Sequence, residues 1–215
     1  MWKYIKLIFV LSCTYEVQCH SLKVSLYYES LCPDCIRFVT KQLFPTYKDI
    51  GNDIKLDLIP FGKAKVVNEN GKLEFICQHG SSECYGNEIQ SCAIALYSVE
   101  ESTEFIYCAM KSDDPSSDYY LETCANSTGI SWASLVKCHT SGQGVELLFE
   151  NANRTENLQP SLEFVPTVVF DDSFDQTLDD EAIEDLEAVV CKLLRYKPDA
   201  CKSYFNDEVV LQMIH

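Results

Sequence analysis

The stretch Leu22-Lys23-Val24-Ser25-Leu26-Tyr27-Tyr28-Glu29-Ser30-Leu31-Cys32-Pro33-Asp34-Cys35 decides the fold. Leu22–Tyr28 alternates and is rich in strand-forming residues, so it reads as a β-strand. Past the Cys-x-x-Cys the period changes. Ile36, Val39 and Leu43 recur at helical spacing, while Arg37, Lys41 and Gln42 fall largely elsewhere, so a helix begins at the cysteine pair. Pro45, within Leu43-Phe44-Pro45-Thr46, is expected to kink or end that helix. Ile54–Phe61 alternates again and gives a second strand. The unit is therefore strand, Cys-x-x-Cys, helix, strand.

That placement carries chemistry. It sets Cys32 at a helix N-terminus, where free N–H groups and the helix dipole stabilise a thiolate. Cys32 would attack a disulfide, and Cys35, one turn inside, would resolve the mixed disulfide. Pro33 suits a first helical turn, since its missing N–H would be unpaired there anyway. Asp34 favours the helix start but opposes a thiolate on Cys32. A plain structural disulfide across the helix start is the alternative reading of the same four residues.

Outward from this unit the chain changes character. From about Cys77 to Ser141 strand signals nearly vanish, and helical stretches are expected around Asn87–Glu100, Thr103–Lys111, Asp118–Cys124 and Trp132–His139. Cysteines there are spaced by 7, 8, 16, 16 and 14 residues, as in short helices stapled because their own core is thin. A helix resumes at Val145–Asn151. Phe164–Phe170 is a strand entered through Pro166, and Thr177–Tyr196 reads as one amphipathic helix burying Ile183, Leu186, Val189, Val190, Leu193 and Leu194. Its first turns are acidic and Lys192, Arg195 and Lys197 lie at its end, as the dipole favours. The class is α/β, interrupted by a helical insertion at about 77–141. In a thioredoxin-like layout Pro166 would be a cis-proline facing the Cys-x-x-Cys, leaving the Val165 backbone free to pair with an extended substrate; a trans edge proline is the other reading.

The compartment follows from composition. The chain has 215 residues, 47% of them hydrophobic, which excludes wholesale disorder. Its net charge of −16 argues against nucleic acid or an anionic membrane surface as partner. Residues 1–19 read as a secretory leader: Lys3 and Lys6, an apolar Leu7–Leu11, then Val17 and Cys19 before a cut at His20. A buried first strand is the alternative. No later run is long enough for a membrane span, and no retention signal closes the C-terminus. The sequons at Asn126 and Asn153 agree with a secretory route.

Without Cys13 and Cys19, ten cysteines remain. Eight of them, Cys77, Cys84, Cys92, Cys108, Cys124, Cys138, Cys191 and Cys201, suffice for four structural disulfides, in any of 105 connectivities. If Cys84 and Cys92 share a helix, eight residues rise ~12 Å, beyond the ~7 Å reach of a bridge, so each needs another partner. The turn Lys197-Pro198-Asp199 could fold Cys201 back on Cys191. Zinc is disfavoured, because there is one Cys-x-x-Cys, no second close pair and no histidine at ligand spacing. No metal or cofactor is expected.

The segment Cys77-Gln78-His79-Gly80-Ser81-Ser82-Glu83-Cys84-Tyr85-Gly86-Asn87, followed by Cys92, resembles the signature Cys-Gln-His-Gly-x-x-Glu-Cys-x-x-Asn-x-x-x-x-Cys of the gamma-interferon-inducible lysosomal thiol reductase family. Leu43-Phe44-Pro45-Thr46, Asn151-Ala152-Asn153-Arg154-Thr155, Leu158-Gln159-Pro160, Val165-Pro166 and Lys197-Pro198-Asp199 are similar to family segments too. The resemblance covers nearly the whole chain after the leader. It implies a thioredoxin fold in a glycosylated protein, lysosomal or secreted, that reduces protein disulfides at acidic pH through Cys32 and Cys35. Its partners would be disulfide-bonded or unfolded proteins, with a small thiol as reductant. An oxidase or isomerase of the early secretory pathway, and a non-catalytic binding protein on the same scaffold, are the rival functions. His79, Glu83 and Asn87 read as a structural knot at the start of the insertion, with Glu83 and Asn87 bonding backbone groups; a catalytic His79 is the sharper alternative.

Overall fold

A computed structural model describes residues 21–69 and 72–205; the expected leader lies outside the described residues. Strand β1 (Leu22–Tyr28) is central, pairing in parallel with β2 (Ile54–Pro60) and antiparallel with β5 (Thr167–Phe170). Register places Leu26 opposite Leu58 on one side and Val168 on the other. Successive side chains of a strand face opposite ways. Val24, Leu26 and Tyr28 accordingly enter the main core, whereas Tyr27 packs with Ile59 and Val169 on the other face under Leu158, Leu162 and Phe174.

Helix α1 (Pro33–Phe38) leaves β1 at the Cys-x-x-Cys and continues through a five-residue π turn, Val39–Leu43, into α2 (Phe44–Ile50). The expected break at Pro45 is thus a change of register within a continuing helix. The Phe44 N–H reaches five residues back to Val39 O, and Pro45, with no N–H to place, sits in the first turn of α2 where none is needed.

After β2 an antiparallel hairpin, β3 (Lys65–Glu69) and β4 (Lys72–Ile76), leads to five helices: α3 (Ser81–Leu96), α4 (Val99–Lys111), α5 (Asp118–Thr128), α6 (Trp132–Thr140) and α7 (Gln143–Glu156). Helical spacing alone predicts one helix from Asn87 to Glu100. Instead Ser98 caps α4 in a reciprocal capping box with Glu101, and the chain breaks there. The helix expected at Thr177–Tyr196 is also two, α8 (Gln176–Glu184) and α9 (Leu186–Leu193). Asp185 divides them: its carboxylate accepts from Ala188 N at 3.0 Å, which starts a new helix instead of prolonging the old one. Lys197 closes α9 by donating to the carbonyls of Cys191, Lys192 and Leu194.

Four disulfides tie these elements: Cys77–Cys84, Cys92–Cys138, Cys108–Cys124 and Cys191–Cys201. The second joins α3 to α6 and the third α4 to α5, reinforcing helices that already share the main core through Ile89, Phe105, Ile106, Leu121 and Leu135. Cys84 and Cys92 do find separate partners. Asn126 is exposed on α5 and Asn153 on α7, a helix that extends past its expected end at Asn151.

Candidate active site

The site forms where β1 ends. Glu29, Ser30 and Leu31 turn the chain, and Cys32, in extended backbone, caps α1 with Pro33 in the first turn. Cys32 and Cys35 are both thiols and both largely buried. The Cys32 Sγ lies 3.9 Å from the carbonyl of Val165, whose bond to Pro166 is cis. The strand expected from Phe164 begins only at Thr167. Val165 and Pro166 thus remain outside the ladder, beside the thiols. Next to them opens a cleft of about 420 Å³ between α1 and α8, lined by Asp34, Arg37, Lys41, Phe164, Val165 and Pro166 among others.

The two thiols are driven apart in acidity. A hydrogen bond from the Cys35 thiol is the largest influence on Cys32; with the N–H groups of Cys35 and Asp34 it outweighs burial and the Asp34 carboxylate, and brings Cys32 down to about 6. Asp34 therefore acts both ways, its N–H helping the thiolate and its charge opposing it. Burial, then the bond to Cys32, holds Cys35 far above the ordinary thiol range, although the Glu29 N–H donates to its Sγ at 3.4 Å. Such a pair can supply a thiolate nucleophile in front and a protected thiol behind it.

Behind the thiols lies a polar cluster whose centre, Glu29, the sequence reading did not single out. Its carboxylate is fully buried and accepts from Lys63 N at 2.7 Å. His79 Nδ1 is 3.5 Å from Glu29 Oε2 and 2.5 Å from Glu83 Oε2, and the His79 N–H donates to Glu83 Oε1 at 3.0 Å. Burial, opposed by the Lys63 N–H, raises Glu29 to about 7; charge on Glu83 and Cys32 adds to the rise. Burial disfavours the His79 imidazolium, but the two carboxylates outweigh it and raise its pKa. Glu29, His79 and Glu83 are also the trio among the described residues that could hold a metal ion, with ligand atoms within 4.8 Å of one another. In the structure these atoms bond one another and the backbone.

The other signature residues grip the same turn. Asn87 Oδ1 accepts from Ser30 N at 2.8 Å, and the Ser30 hydroxyl donates to Glu83 O at 3.1 Å. The knot read from the sequence is thus a clamp on Glu29-Ser30. The signal for Glu29 was present: an acid inside an otherwise strand-like run, three residues before the cysteine pair.

The family model described as gamma interferon inducible lysosomal thiol reductase matches residues 23–128. Among curated relatives, a GILT-like protein 1 of Drosophila melanogaster is 34% identical over 84% of this chain and 78% of its own. The gamma-interferon-inducible lysosomal thiol reductase of Mus musculus is 35% identical over 85% and 72%. Among solved structures, the reduced disulfide oxidoreductase DsbG of Mycobacterium tuberculosis superposes with a TM-score of 0.57 at 17% identity, covering 86% of this chain and 83% of that one. DsbA of Chlamydia trachomatis gives 0.55 at 16%, over 81% and 89%. The fold is thioredoxin-like.

Proposed function

Because this chain belongs to the gamma-interferon-inducible lysosomal thiol reductase family of disulfide oxidoreductases, we propose that it reduces protein disulfides with the Cys32–Cys35 dithiol. We place that activity in an acidic endosomal, lysosomal or extracellular compartment. The Cys32 thiolate attacks one sulfur of a substrate disulfide, joining enzyme to substrate and expelling the other sulfur as a thiolate. Cys35 then attacks Cys32, closing the enzyme disulfide and releasing the second substrate thiol. A small thiol returns the pair to its reduced state. An extended substrate strand pairs with the backbone at Val165, beside Pro166. The observation that carries this reading is the contrast within the pair: a thiol at about 6 capping a helix, backed by one that stays protonated.

The same reading makes 20–215 one thioredoxin-like unit interrupted at about 77–141, preceded by a cleaved leader at 1–19. The four bridges are structural and stay closed during turnover, and Asn126 and Asn153 carry glycans. Among the described residues no helix is long and apolar enough to cross a membrane. Insulin reduction at pH 5 and pH 7, with C32S as control, tests the proposal. Turnover at pH 5 that C32S abolishes is expected; no reduction at either pH, or an unaffected C32S, refutes it.

A further inference from the structure

Resting on the reduction cycle just proposed, we infer that α8 selects the substrate: Asp180 and Glu184 hold a lysine or arginine that flanks the attacked cysteine, and an apolar side chain beyond it enters the groove between α8 and α9. The substrate this surface fits is a cationic, extended polypeptide segment.

Two hollows meet at these acids. One is the cleft beside Val165 and Pro166, of about 420 Å³, walled by α1 and α8. The other, of about 480 Å³, lies between α8 and α9 over Ala188 and Val189. Asp180 and Glu184 line both, so they form a ridge between them. Four positions apart on one helix, they stand on the same face. The cleft walls are tied at either end. Asp179, 7% exposed, accepts from Val168 N at 2.7 Å and fixes α8 to β5 just after Pro166. Gln42, reaching over from the α1 side, donates to Glu184 O at 2.5 Å and accepts from Leu186 N at 3.4 Å. A bound segment therefore meets a surface already formed, and binding does not have to order one.

Charge gives this surface its preference. On the α1 wall Arg37 is already paired with Asp34 at 3.0 Å, and outside the ridge Lys192 is paired with Glu181 at 2.9 Å. The Asp180 carboxylate takes the amide of Gln176 at 2.9 Å, and among the described residues the Glu184 carboxylate has no partner. Two exposed carboxylates thus lie on the way out of the cleft with no cation on them. Lys41 stands on the opposite wall, which turns a cationic side chain toward α8. The net charge of −16 draws cationic segments from a distance as well. A cleft of about 420 Å³ is roughly 7 Å across, and an extended chain advances ~3.3 Å per residue, so the cation sits about two residues from the cysteine. Side chains alternate along such a chain, which puts the apolar residue on the same face about two residues further on.

Peptides carrying one cysteine in a mixed disulfide with a fluorescent thiol test this. Lysine or glutamate is placed two residues before or after the cysteine, with leucine or serine two residues beyond. An exposed ion pair gives a factor of about 1.5–5, and glutamate turns attraction into repulsion, so lysine should raise kcat/KM roughly 10-fold over glutamate on one side of the cysteine. The ratio should shrink in high salt, and leucine should exceed serine by about 3-fold beside lysine. D180N/E184Q should bring the lysine-to-glutamate ratio near unity, and D180K/E184K should invert it. Each ratio compares two peptides on one protein, so a change in Cys32 reactivity cancels. E122K/E150K alters net charge as much as D180K/E184K does, at exposed sites on α5 and α7, and should keep the ratio. A wild-type ratio near unity on both sides of the cysteine overturns the proposal. So does an equal loss of the ratio in E122K/E150K, or its survival in D180K/E184K. Equal rates for leucine and serine overturn the role of the groove. A ratio that falls as dimers form at rising protein concentration gives the groove to a second copy and overturns the proposal too. If wild-type protein releases the fluorescent thiol from no peptide, the reduction reading fails first and takes this inference with it.

Discussion

Removing the Cys35 thiol should raise the pKa of Cys32 more than any change to the helix start, because the bond from Cys35 is the largest influence holding Cys32 at about 6. A hydrogen bond to a charged acceptor contributes about 1.5–3 kcal/mol, and one pKa unit is about 1.36 kcal/mol, so C35A should move the midpoint up by roughly 1–2 units. At pH 5 a midpoint of 6 leaves about 9% thiolate and a midpoint near 7.5 about 0.3%, a roughly 30-fold loss of nucleophile. The N–H groups of Asp34 and Cys35 survive the substitution, so the midpoint should stop short of an ordinary thiol's ~8.5. The wild-type advantage is smaller than the thiolate fraction suggests. Against a thiol at ~8.5 the gain at pH 5 is about 300-fold, and weaker intrinsic nucleophilicity removes about 10–20-fold of it, leaving a net factor of about 20. D34N should lower the midpoint by less than C35A raises it, since it removes an opposing charge already paired with Arg37 at 3.0 Å. Iodoacetamide alkylation of the reduced proteins across pH reads each midpoint. A C35A midpoint that coincides with wild type would show that the helix start alone sets the thiolate, and a wild-type midpoint near 8 would remove the basis for activity in acid.

Loop length ranks the bridges. Opening Cys92–Cys138, 46 residues apart, with C92A/C138A should cost about 4 kcal/mol by chain entropy, and C108A/C124A, 16 apart, about 3 kcal/mol. Urea unfolding gives both, and the reverse order would refute an entropic origin. G62A should cost about 2 kcal/mol or more, because the residue sits at φ +62° and a Cβ would come within 2.3 Å of Glu29 Cγ. G129A, also at positive φ but with nothing within 4 Å, should cost only about 1 kcal/mol, and equal losses in thermal unfolding would refute the close-approach argument.

Where local chemistry decides, the sequence was readable. The change of period from two to 3.6 across Cys32–Cys35 placed β1, α1 and β2, because strand alternation and helical spacing are local facts. The cysteine spacing likewise kept Cys84 from Cys92, since a helix cannot bring its own residues eight apart together. The hairpin of β3 and β4 leaves a local signal too, Asn70-Gly71 standing between Val66, Val67 and Leu73, Phe75. Ser98 and Asp185 show a different failure: each is tolerable inside a helix by propensity, and only its side-chain bond to a backbone N–H three residues on reveals a boundary. Glu29 shows in the sequence only as an acid at the end of a strand-like run, with nothing to mark its partners. Its partners Lys63, His79 and Glu83 lie 34 to 54 positions away, and no local pattern pairs them.

The fold gives the signature a physical meaning that its spelling lacks. Asn87 must be an amide or another acceptor of that reach, because the Ser30 N–H is buried and has left the sheet. Gly86 must be small, because a Cβ there would stand 2.6 Å from Ser30 Oγ. Glu83 must be acidic and one turn earlier, since its side chain holds His79 while its carbonyl takes the Ser30 hydroxyl. The Cys77–Cys84 bridge closes the seven-residue loop that brings His79 back over Glu29. Each constraint acts on Glu29 or Ser30, and neither lies within the signature. What the motif shapes is the turn between β1 and the cysteine pair, and through the Glu29 N–H that turn reaches Cys35 Sγ. A substitution in the motif should therefore be read first in the resolving step of Cys35, before any change in how Cys32 attacks.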